Sequence, residues 1–332
     1  MKFLIIGLGS IGKRHITNIL KVEPNSQFSA FRQRNLLSDD FAKKYNITVY
    51  KDLKEAFDNK YDAVFITNPT SEHIPFALKA AKNDLNLFIE KPISSSFEGI
   101  NDLRNMVKKK KLITFVGYNM RFHPAIKKIK DSVAHGVLGK LYFARLQVGE
   151  YLPDFHPGED YTRGYSARKS LGGGALLTLI HELDYLLWFK GKPRNLAAMM
   201  SKVSNLKIDV EDNAELLLAY EDGFIAEINI NYLLKDHRRN CLIAGEKGLL
   251  DFDYYKNELT FFDNEKRKKT ILWKDDSFQR NDMYLEEIKH FIGCLKKNRN
   301  TDIDLEEGLK SLKVALKAKE SHEKNKFLKL TW

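Results

Sequence analysis

The chain opens with MKFLIIGLGSIGKRH, residues 1–15, in which a glycine-rich turn follows a short apolar run. The run from Phe3 to Ile6 predicts a buried strand, and residues 7–12, GLGSIG, have the spacing G-x-G-x-x-G. Apolar residues at helical spacing, including Ile16 and Ile19, begin directly afterwards. The order strand, glycine turn, helix is the context in which this motif indicates a dinucleotide-binding site.

The three glycines of this motif have separate expected roles. Gly7 permits the tight turn, Gly9 lets the backbone approach a pyrophosphate, and Gly12 lets the helix pack closely against the strand. The helix begins near Ser10 and Ile11, where free backbone N–H groups and the positive end of the helix dipole face the phosphates. We therefore predict that these five residues bind a dinucleotide.

Two other interpretations of the N-terminus are weaker. A glycine-rich turn can form without any ligand, and an apolar run after Lys2 is one feature of a signal peptide. No small-residue cleavage site follows, and Lys13, Arg14 and His15 end the apolar stretch. The pattern farther along the chain agrees with the nucleotide interpretation.

The composition is that of a globular protein with room for two domains. The chain has 332 residues, of which 43% are hydrophobic and 30% charged. No apolar stretch approaches the roughly 20 residues that span a bilayer, so we expect no membrane partner and a cytoplasmic enzyme. Cys241 and Cys294 are the only cysteines, which indicates neither a disulfide framework nor a thiolate metal site. No metal is predicted.

The net charge of +11 is compatible with a nucleic-acid partner or with an anionic substrate such as a nucleotide sugar. The basic runs, residues 108–111 and 266–269, are not interleaved with the aromatic residues on which single-stranded nucleic acids stack. The first run closes a helical pattern, where lysines complement the C-terminal end of the helix dipole. We interpret both runs as solvated surface and predict no nucleic-acid partner.

Strand and helix patterns alternate along the first third of the chain, with helical segments such as 74–82 and 97–110 between the strands. This alternation predicts an α/β domain with a doubly wound parallel sheet, the Rossmann fold, over residues 1–122. Ligands of such sheets bind beyond the carboxyl ends of the strands, so the residues after each strand are the candidates for the site. The predicted strands are 3–6, 28–31, 47–50, 63–67, 85–89 and 113–117.

The pattern changes after residue 124. A helix over 124–134 and a long loop over 151–174 precede a helix predicted over 175–189, and strands then follow one another without helices. We predict an antiparallel meander, and hence a C-terminal α+β domain on a large, mostly antiparallel sheet, over residues 123–332. The predicted strands are 196–200, 214–220, 224–231, 240–244, 249–254, 258–262 and 270–273, before two helices, 284–296 and 305–320.

Arg32 follows the second predicted strand, where NAD-specific Rossmann proteins place an acidic residue on the ribose 2′-hydroxyl. The sequence reads Phe31-Arg32-Gln33-Arg34, and no carboxylate follows before Asp39. An arginine suits a 2′-phosphate through bidentate, charge-assisted hydrogen bonds. We predict a preference for NADP over NAD; the alternative is a surface arginine that stacks on adenine or points to water.

Polar residues also follow the fourth, fifth and sixth predicted strands. Any one of them alone can be an ordinary loop residue, but carboxyl ends of parallel strands meet at one edge of a sheet. They are Thr67, Asn68, Pro69 and His73; Glu90, Lys91 and Pro92; and Gly117, Tyr118, Asn119 and Arg121.

A second group of candidates lies in the C-terminal half. Residues 172–174 are three glycines in succession, and they lead into the predicted helix that contains His181 and Asp184. His181 lies near Leu177 and Ile180 in an apolar helix, where a lone histidine is usually a core residue. Because His181 and Asp184 are three residues apart, they share a helix face. This spacing suits a histidine poised beside a carboxylate.

Together these motifs resemble the Gfo/Idh/MocA oxidoreductases over essentially the full length of the chain. The resemblance rests on the glycine motif, Asn68-Pro69 with His73, Glu90-Lys91-Pro92, Gly117-Tyr118-Asn119 with Arg121, and the glycine triplet before His181 and Asp184. It implies an enzyme that oxidises or reduces a carbon of a sugar, cyclitol or nucleotide sugar with NADP or NAD. It also implies that Lys91 and His181 are the catalytic pair. The chain departs from the family where many members carry an aspartate one turn before the histidine, since Leu177 and Thr178 stand there.

The predicted reaction is reversible hydride transfer between nicotinamide and a carbinol carbon. His181 would take or supply the hydroxyl proton, because the pKa of histidine lies near working pH, and Lys91 would stabilise the developing alkoxide. The residues predicted to bind the cofactor are Gly7, Gly9, Ser10, Ile11, Gly12, Arg32, Thr67, Asn68, Pro69, His73, Glu90, Lys91 and Asn119. Those predicted to bind the substrate are Arg121, Tyr161, Arg163, Arg168, Thr178 and Asp184.

Several alternatives remain open. The loop with Arg163 and Arg168 either covers an anionic substrate or is an ordinary solvated loop. The chain can also be a non-catalytic NAD(P)-binding regulator, because fold does not fix function. A long sheet must cover its second face, and Ile225, Ile228 and Ile230 or their outward neighbours are partly apolar. We therefore predict a homodimer or homotetramer formed through the C-terminal domain.

Overall fold

The glycine motif follows the first strand of a parallel sheet, as predicted. In the computed structural model, which describes residues 1–32 and 40–332, six strands form this sheet in the order β3-β2-β1-β4-β5-β6. Its strands are β1 (Lys2–Ile6), β2 (Gln27–Phe31), β3 (Thr48–Tyr50), β4 (Ala63–Ile66), β5 (Asn86–Ile89) and β6 (Thr114–Val116). The helices between them are α1 (Ser10–Val22), α2 (Asp40–Lys44), α3 (Leu53–Phe57), α4 (His73–Lys82) and α5 (Ile100–Lys110).

The central strands of this sheet are apolar without interruption. Phe3 to Ile6 of β1 and all of β4 are buried, as expected for parallel strands that are covered on both faces. The strand order reverses between β1 and β4, which is where ligands of doubly wound sheets bind. The sequence predicted each of the six strands to within a residue or two, so the Rossmann architecture is confirmed.

The second sheet has nine strands among the described residues, in the order β14-β13-β12-β11-β7-β10-β9-β8-β15. The elements that precede its last strand are α6 (Pro124–Ala134), β7 (Leu141–Gly149), α7 (Ala175–Thr178), α8 (His181–Lys190), β8 (Asn195–Ser201), β9 (Asn213–Ala219), β10 (Ile225–Asn231), β11 (Arg238–Gly245), β12 (Gly248–Asp253), β13 (Glu258–Asp263) and β14 (Lys268–Lys274). Two helices, α9 (Arg280–Lys297) and α10 (Leu305–Lys324), then lead to β15 (Leu328–Lys329).

Strand β7 corrects the prediction of a simple antiparallel meander. It lies between β10 and β11, parallel to the first and antiparallel to the second, so the sheet is mixed but mostly antiparallel. Ala144, Leu146 and Val148 point to the buried face. This period-2 pattern, with Arg145 and Gln147 at the alternate positions, was present in the sequence.

The predicted helix over 175–189 is broken in two. The backbone leaves helical geometry at Leu179 (φ −104°, ψ 36°), so His181 begins α8 instead of continuing a helix with Leu177 and Ile180. No glycine or proline marks the break, and residues 175–186 are buried throughout. Periodicity therefore could not reveal it.

The described residues cluster into two compact units. One comprises Met1–Asn119 and Arg280–Leu309, and the other Met120–Gln279 and Lys310–Trp332. The sequence-based division at residue 122 assigned residues 280–309 to the C-terminal domain. The structure places them with the first unit because α9 packs along α1 and the Val116 N–H bonds to the Ile303 carbonyl.

The outward face of the second sheet is partly apolar, but only one of the three isoleucines named from the sequence lies on it. Ile225 is 50% exposed, whereas Ile228 and Ile230 are fully buried. Alternation explains the difference at Ile228 and Ile230, since Glu227 and Asn229 hold the outward positions between the buried residues. Within residues 1–32 and 40–332, no helix is both long and apolar enough to cross a membrane.

Candidate active site

The glycine turn after β1 has the tight geometry that its spacing requires. Gly7 has a φ of +100°, and a Cβ there would lie 2.7 Å from the backbone nitrogen of Asn68. A Cβ on Gly12 would lie 2.4 Å from the Gly7 carbonyl oxygen. A Cβ on Gly9 would meet no described atom within 4 Å. The turn and the close packing thus need Gly7 and Gly12, while Gly9 presents bare backbone at the start of α1.

The loop after β4 holds the glycine turn. The buried Thr67 hydroxyl donates to the Gly7 carbonyl at 2.6 Å. The side-chain amide of Asn68 has no hydrogen-bond partner among the described residues at either Oδ1 or Nδ2. Asn68 thus brings an unsatisfied donor and an unsatisfied acceptor next to the turn, where a ligand could bond to them.

His73 connects this loop to the loop after β5. Its Nε2 lies 2.9 Å from the Asn68 carbonyl oxygen, and its Nδ1 lies 2.9 Å from the Pro92 carbonyl oxygen. Burial lowers the pKa of His73. The contacts therefore run without a gap from Gly7 through Asn68 and His73 to the Lys91-Pro92 turn, whose peptide bond is cis.

Glu90 holds the backbone of Lys91. Its Oε2 accepts the Lys91 N–H at 3.3 Å, and its Oε1 accepts a hydrogen bond from His15 Nε2 at 2.6 Å. Burial opposes ionisation of Glu90, but the bond from His15 and the charge of Lys91 outweigh it and lower the pKa of the carboxyl. The ionised Glu90 thus lies close to the positive charge of Lys91.

Arg32 lies against the glycine turn, where its guanidinium donates to the Leu8 carbonyl at 2.7 Å. Gln33, Arg34 and Asp39, which entered the cofactor prediction, lie outside the described residues. Asn119 is 3% exposed and begins a short helical turn after β6. The first unit thus brings the predicted cofactor residues to the carboxyl ends of neighbouring strands.

In the second unit, the glycine triplet forms a close-packed turn before α7. A Cβ on Gly173 would lie 2.3 Å from the Tyr165 carbonyl oxygen, and a Cβ on Gly174 would lie 2.3 Å from Glu211 Oε1. Burial raises the pKa of Glu211, against the opposing charge of Lys319. The sequence did not identify Glu211, whose carboxylate accepts the Leu176 N–H at the start of α7.

Helix α8 and the short helix α7 before it carry polar residues on an almost fully buried segment. His181, its first residue, is 7% exposed, and Thr178 before it is 3% exposed. Asp184 is fully buried and accepts hydrogen bonds from Arg121 to both of its oxygens, each at 2.8 Å, and from the Ser311 hydroxyl at 3.1 Å. Arg121 and Asp184 thus bond to each other.

Glu182 and Arg239 form a second buried ion pair on this helix, which the sequence did not reveal. Arg239 Nε donates to Glu182 at 2.9 Å, and Glu150 lies 3.5 Å from the same guanidinium. Burial raises the pKa of Glu182 against the opposing charge of Arg239. A single glutamate in a helix and an arginine in a distant strand give no local signal of pairing.

The three loop residues predicted to bind substrate have local partners. Arg163 pairs with Asp160 at 3.3 Å, and Arg168 Nε donates to the Thr162 carbonyl at 2.9 Å. The Tyr161 hydroxyl accepts the Lys207 N–H at 3.2 Å. Both arginines are exposed, and neither contact draws them toward His181.

A Rossmann sheet with a glycine turn, followed by a unit built on a large mixed sheet, defines a class of two-domain nicotinamide-dependent oxidoreductases. Residues 1–118 match the family model for the NAD-binding Rossmann fold of the GFO/IDH/MocA oxidoreductases, and residues 126–251 match the GFO/IDH/MocA C-terminal domain. The chain belongs to this family and is an NAD-binding oxidoreductase.

Curated relatives cover nearly the whole chain. Myo-inositol 2-dehydrogenase of Thermotoga maritima is 27% identical, with 99% of this chain and 98% of the relative aligned. The scyllo-inositol 2-dehydrogenase (NAD(+)) of Bacillus subtilis is 23% identical over 90% of this chain and 88% of the relative.

Solved structures share the fold. Levoglucosan dehydrogenase in complex with NADH and levoglucosan aligns with a TM-score of 0.89 and 17% identity over 100% of both chains. The WlbA dehydrogenase of Bordetella pertussis in complex with NADH and UDP-GlcNAcA aligns with a TM-score of 0.85 and 19% identity, covering 100% of this chain and 99% of that one.

Proposed function

We propose that this oxidoreductase transfers a hydride between NAD(P) and a secondary alcohol carbon of a cyclitol, sugar or nucleotide-linked sugar. The observation that carries the proposal is the unbroken path of contacts from the glycine turn through Asn68 and His73 to Lys91. This path ties the turn that carries a candidate catalytic lysine to the cofactor-binding loop at the carboxyl edge of one sheet. The names of the relatives, which act on inositols and sugars, support the substrate class.

The residues of the first unit fit a dinucleotide. Gly9 leaves room beside the backbone at the start of α1, and the N–H groups of Ser10 and Ile11 begin that helix. The unsatisfied amide of Asn68 adds a donor and an acceptor. We assign Thr67, Pro69 and His73 to holding the loops and Asn119 to the edge of the same site. When bound, the nicotinamide supplies or accepts the hydride.

Lys91 and His181 are the proposed catalytic residues. Lys91 donates from Nζ to the reacting oxygen and stabilises the negative charge that develops there. His181 accepts the hydroxyl proton during oxidation and returns it during reduction. Thr178, which lies one turn before His181 in place of a carboxylate, contributes a neutral hydroxyl near the same position.

Arg121 and Asp184 act on the substrate indirectly in this proposal. Their mutual ion pair uses both Asp184 oxygens, so they hold α8 and His181 in place.

Tyr161, Arg163 and Arg168 remain candidates for direct contact with an anionic substrate, because their loop is exposed. Salt screens attraction between exposed charges over roughly 10 Å at 0.1 M, so KM for a nucleotide sugar should rise with salt while KM for a neutral polyol stays constant.

We propose a preference for NADP, supported by the cationic Arg32 beside the glycine turn. The names of the relatives, which specify NAD(+) or NADH, favour the opposite outcome. Calorimetric titration with NADH and NADPH decides between them, and Arg32→Ala should narrow the difference in Kd if Arg32 contacts the 2′-phosphate. Tighter binding of NADH by the unmodified chain would refute the preference.

We further propose that two or four copies associate through the outward face of the second sheet. Apolar side chains on this face include Phe143, Met199, Leu217 and Ile225, each at least 40% exposed. Glu227 and Arg145, paired at 3.1 Å, lie among them. Light scattering on the wild type and on Leu217→Glu tests the proposal, since a mass of 38.5 kDa for the wild type would contradict it.

A cytoplasmic location is proposed on the basis of Cys241 and Cys294, which are free and buried. Thiols persist in the reducing cytoplasm. Cell fractionation tests this, and recovery from a secreted fraction would contradict it.

A substrate panel tests the main proposal. The chain is incubated with NAD+ or NADP+ and with inositols, free sugars and nucleotide sugars, and formation of the reduced nicotinamide is followed by absorbance. Turnover of a polyol or sugar supports the proposal. Cofactor binding without turnover of any of these compounds would favour a non-catalytic NAD(P)-binding protein.

A further inference from the structure

Three titratable side chains from different elements meet inside the first unit. They are His15 on α1, Glu90 after β5 and Glu287 on α9, and one nitrogen or oxygen atom of each lies within 4.8 Å of the others. His15 and Glu287 are fully buried, and Glu90 is 8% exposed. The proposed chemistry uses neither His15 nor Glu287. Burying an ionisable group costs free energy unless it is neutral or paired, so their burial needs a physical explanation.

The hydrogen bond between His15 and Glu90 assigns a proton to Nε2 of the histidine. Its Nε2 donates to the Glu90 carboxylate at 2.6 Å, whereas its Nδ1 has no hydrogen-bond partner among the described residues. The rings of Phe65 and Phe88 lie 5.4 and 4.8 Å from the imidazole ring. The Nε2 proton faces the carboxylate, whereas a proton on Nδ1 would be left without an acceptor among the described residues.

The carboxyl group of Glu287 has no hydrogen bond comparable to the one between His15 and Glu90. Neither of its oxygens has a hydrogen-bond partner among the described residues. Burial and the nearby charge of Glu90 raise the pKa of Glu287 well above its usual value, and the charge of Arg14 opposes them. The Arg14 guanidinium itself stacks 4.6 Å from the ring of Tyr284. Two ionised carboxylates this close in an apolar environment would repel each other strongly.

The distances argue against a metal site. Two ligands of a tetrahedral zinc ion lie about 3.4 Å apart, given metal–ligand bonds of about 2.1 Å. His15 Nε2 and Glu90 Oε1 are 2.6 Å apart, which is a hydrogen bond between the two groups. The proton between His15 and Glu90 accounts for this distance.

We propose that Glu287 is a neutral carboxylic acid beside the Glu90 carboxylate, and that the unit His15–Glu90–Glu287 positions Lys91. Glu90 accepts the bond from His15 of α1 at one oxygen and the Lys91 N–H at the other. Gly117 leaves the necessary space, since a Cβ there would lie 3.2 Å from Glu90 Oε1.

The consequence for Lys91 is that Glu90 holds its backbone and places a negative charge beside it. The Glu90 carboxylate keeps its negative charge next to Lys91. His73, bonded to the carbonyls of Asn68 and Pro92, and Arg14 are the other charged or titratable groups that bear on the unit. The role of Lys91 rests on the proposed function, whereas the neutral state of Glu287 does not.

Infrared spectroscopy tests the neutral acid independently of any activity. At neutral pH the difference spectrum between wild type and Glu287→Gln should contain the C=O stretching band of a protonated carboxyl group. The matched control is Glu286→Gln on the same helix, whose exposed side chain bonds to Lys289 at 2.7 Å; its difference spectrum should contain only carboxylate bands. A carboxylate band lost in Glu287→Gln would overturn the proposal.

A comparison of two variants tests the positioning role. Glu287→Leu removes the polar side chain beside Glu90, whereas Glu287→Gln keeps a neutral side chain with N–H donors at the same position. Since small misplacements of a catalytic group are costly, kcat should fall roughly tenfold or more in Glu287→Leu, with KM little altered, and Glu287→Gln should recover most of that loss.

Thermal unfolding is measured on both variants, to separate loss of function from loss of fold. Wild-type kcat in a folded Glu287→Leu would refute the positioning role, as would equal damage in a folded Glu287→Gln. If Glu287→Leu does not fold, Glu287→Met takes its place, because it also lacks a donor. If the wild type turns over no substrate, the proposed function has failed, and the infrared result still decides the state of Glu287.

Discussion

Arg121 and Asp184 face each other in a bidentate ion pair, with Nε and Nη2 of the arginine each 2.8 Å from a different carboxylate oxygen. The two side chains are 4% and 0% exposed. The pair ties the turn that precedes α6 to the helix that begins with His181. The orientation of His181 thus depends on an ion pair that water does not reach.

Breaking this pair should destabilise the fold. Asp184→Asn leaves the Arg121 charge buried without its partner, which costs about 3–5 kcal/mol. The exposed pair Arg104–Glu306 has the same bidentate form, and Glu306→Gln should cost no more than about 1 kcal/mol. Denaturant unfolding of the three proteins measures both losses. Equal losses of unfolding free energy in the two variants would show that burial does not determine the cost of breaking an ion pair.

Removing either proposed catalytic side chain should abolish most turnover while leaving the cofactor bound. Loss of general acid–base help in His181→Ala should lower kcat by about 10²–10⁴-fold, and Lys91→Ala should lose a comparable factor through lost charge stabilisation. His135→Ala and Lys108→Ala, at exposed positions, are the matched controls. Near-normal kcat in either catalytic variant, measured by steady-state kinetics, would refute its assigned role.

Gly9→Ala should separate cofactor binding from folding. The added methyl meets no described protein atom within 4 Å, so the unfolding midpoint should stay near that of the wild type. It projects where a pyrophosphate would approach the backbone, so Kd for the cofactor should rise at least tenfold, a loss of about 1.4 kcal/mol. Gly293→Ala, also without a neighbour within 4 Å, should leave Kd unaltered. Unchanged affinity in Gly9→Ala would place the pyrophosphate elsewhere.

His123 should make stability depend on pH. It is buried among aromatic rings and caps α6 by accepting the Ala125 N–H at 3.1 Å. Burial, with a smaller contribution from the charge of Arg239, lowers the pKa of His123 to about 3. In the unfolded chain the pKa is about 6.5. As pH falls from 6.5 toward 3, the unfolded chain binds a proton that the folded protein does not, and stability is lost.

The slope of that loss is about 1.4 kcal/mol per pH unit. Asparagine can cap the helix but does not titrate, so His123→Asn should lose roughly 2–3 kcal/mol less than the wild type between pH 6.5 and 4.5. His135→Asn, at an exposed position, should retain the wild-type dependence. Unfolding free energies measured across this range give the comparison, and parallel curves for wild type and His123→Asn would contradict the prediction.

The parallel sheet could be predicted from the sequence because its signals are local. Runs such as Phe3–Ile6 are apolar at every position, and Gly7 and Gly12 mark a turn that no other residue fits. Strand β7 carried a period-2 pattern that was missed. The helix break at Leu179 carried no pattern at all, since the surrounding residues are buried on every side.

Candidate site residues could be predicted from the sequence where polar residues come directly after a strand, as Asn68 and Lys91 do. Pairings between distant positions could not. His15 and Glu287 are far apart in sequence, and only the packing of α9 on α1 brings them together. One signal did exist, because Glu287 lies on the same helical stripe as the buried Tyr284 and Phe291, where a charged residue calls for an explanation.

The place of α9 has a consequence for the protein during its synthesis. Phe291 packs against the rings of Phe65, Phe88 and Phe115, so one face of the nucleotide-binding sheet is covered by a helix that leaves the ribosome only after residues 120–279. Until then the nascent chain exposes that aromatic surface, and such surfaces are prone to aggregation. Shortened forms that end before residue 280 would carry the same defect permanently.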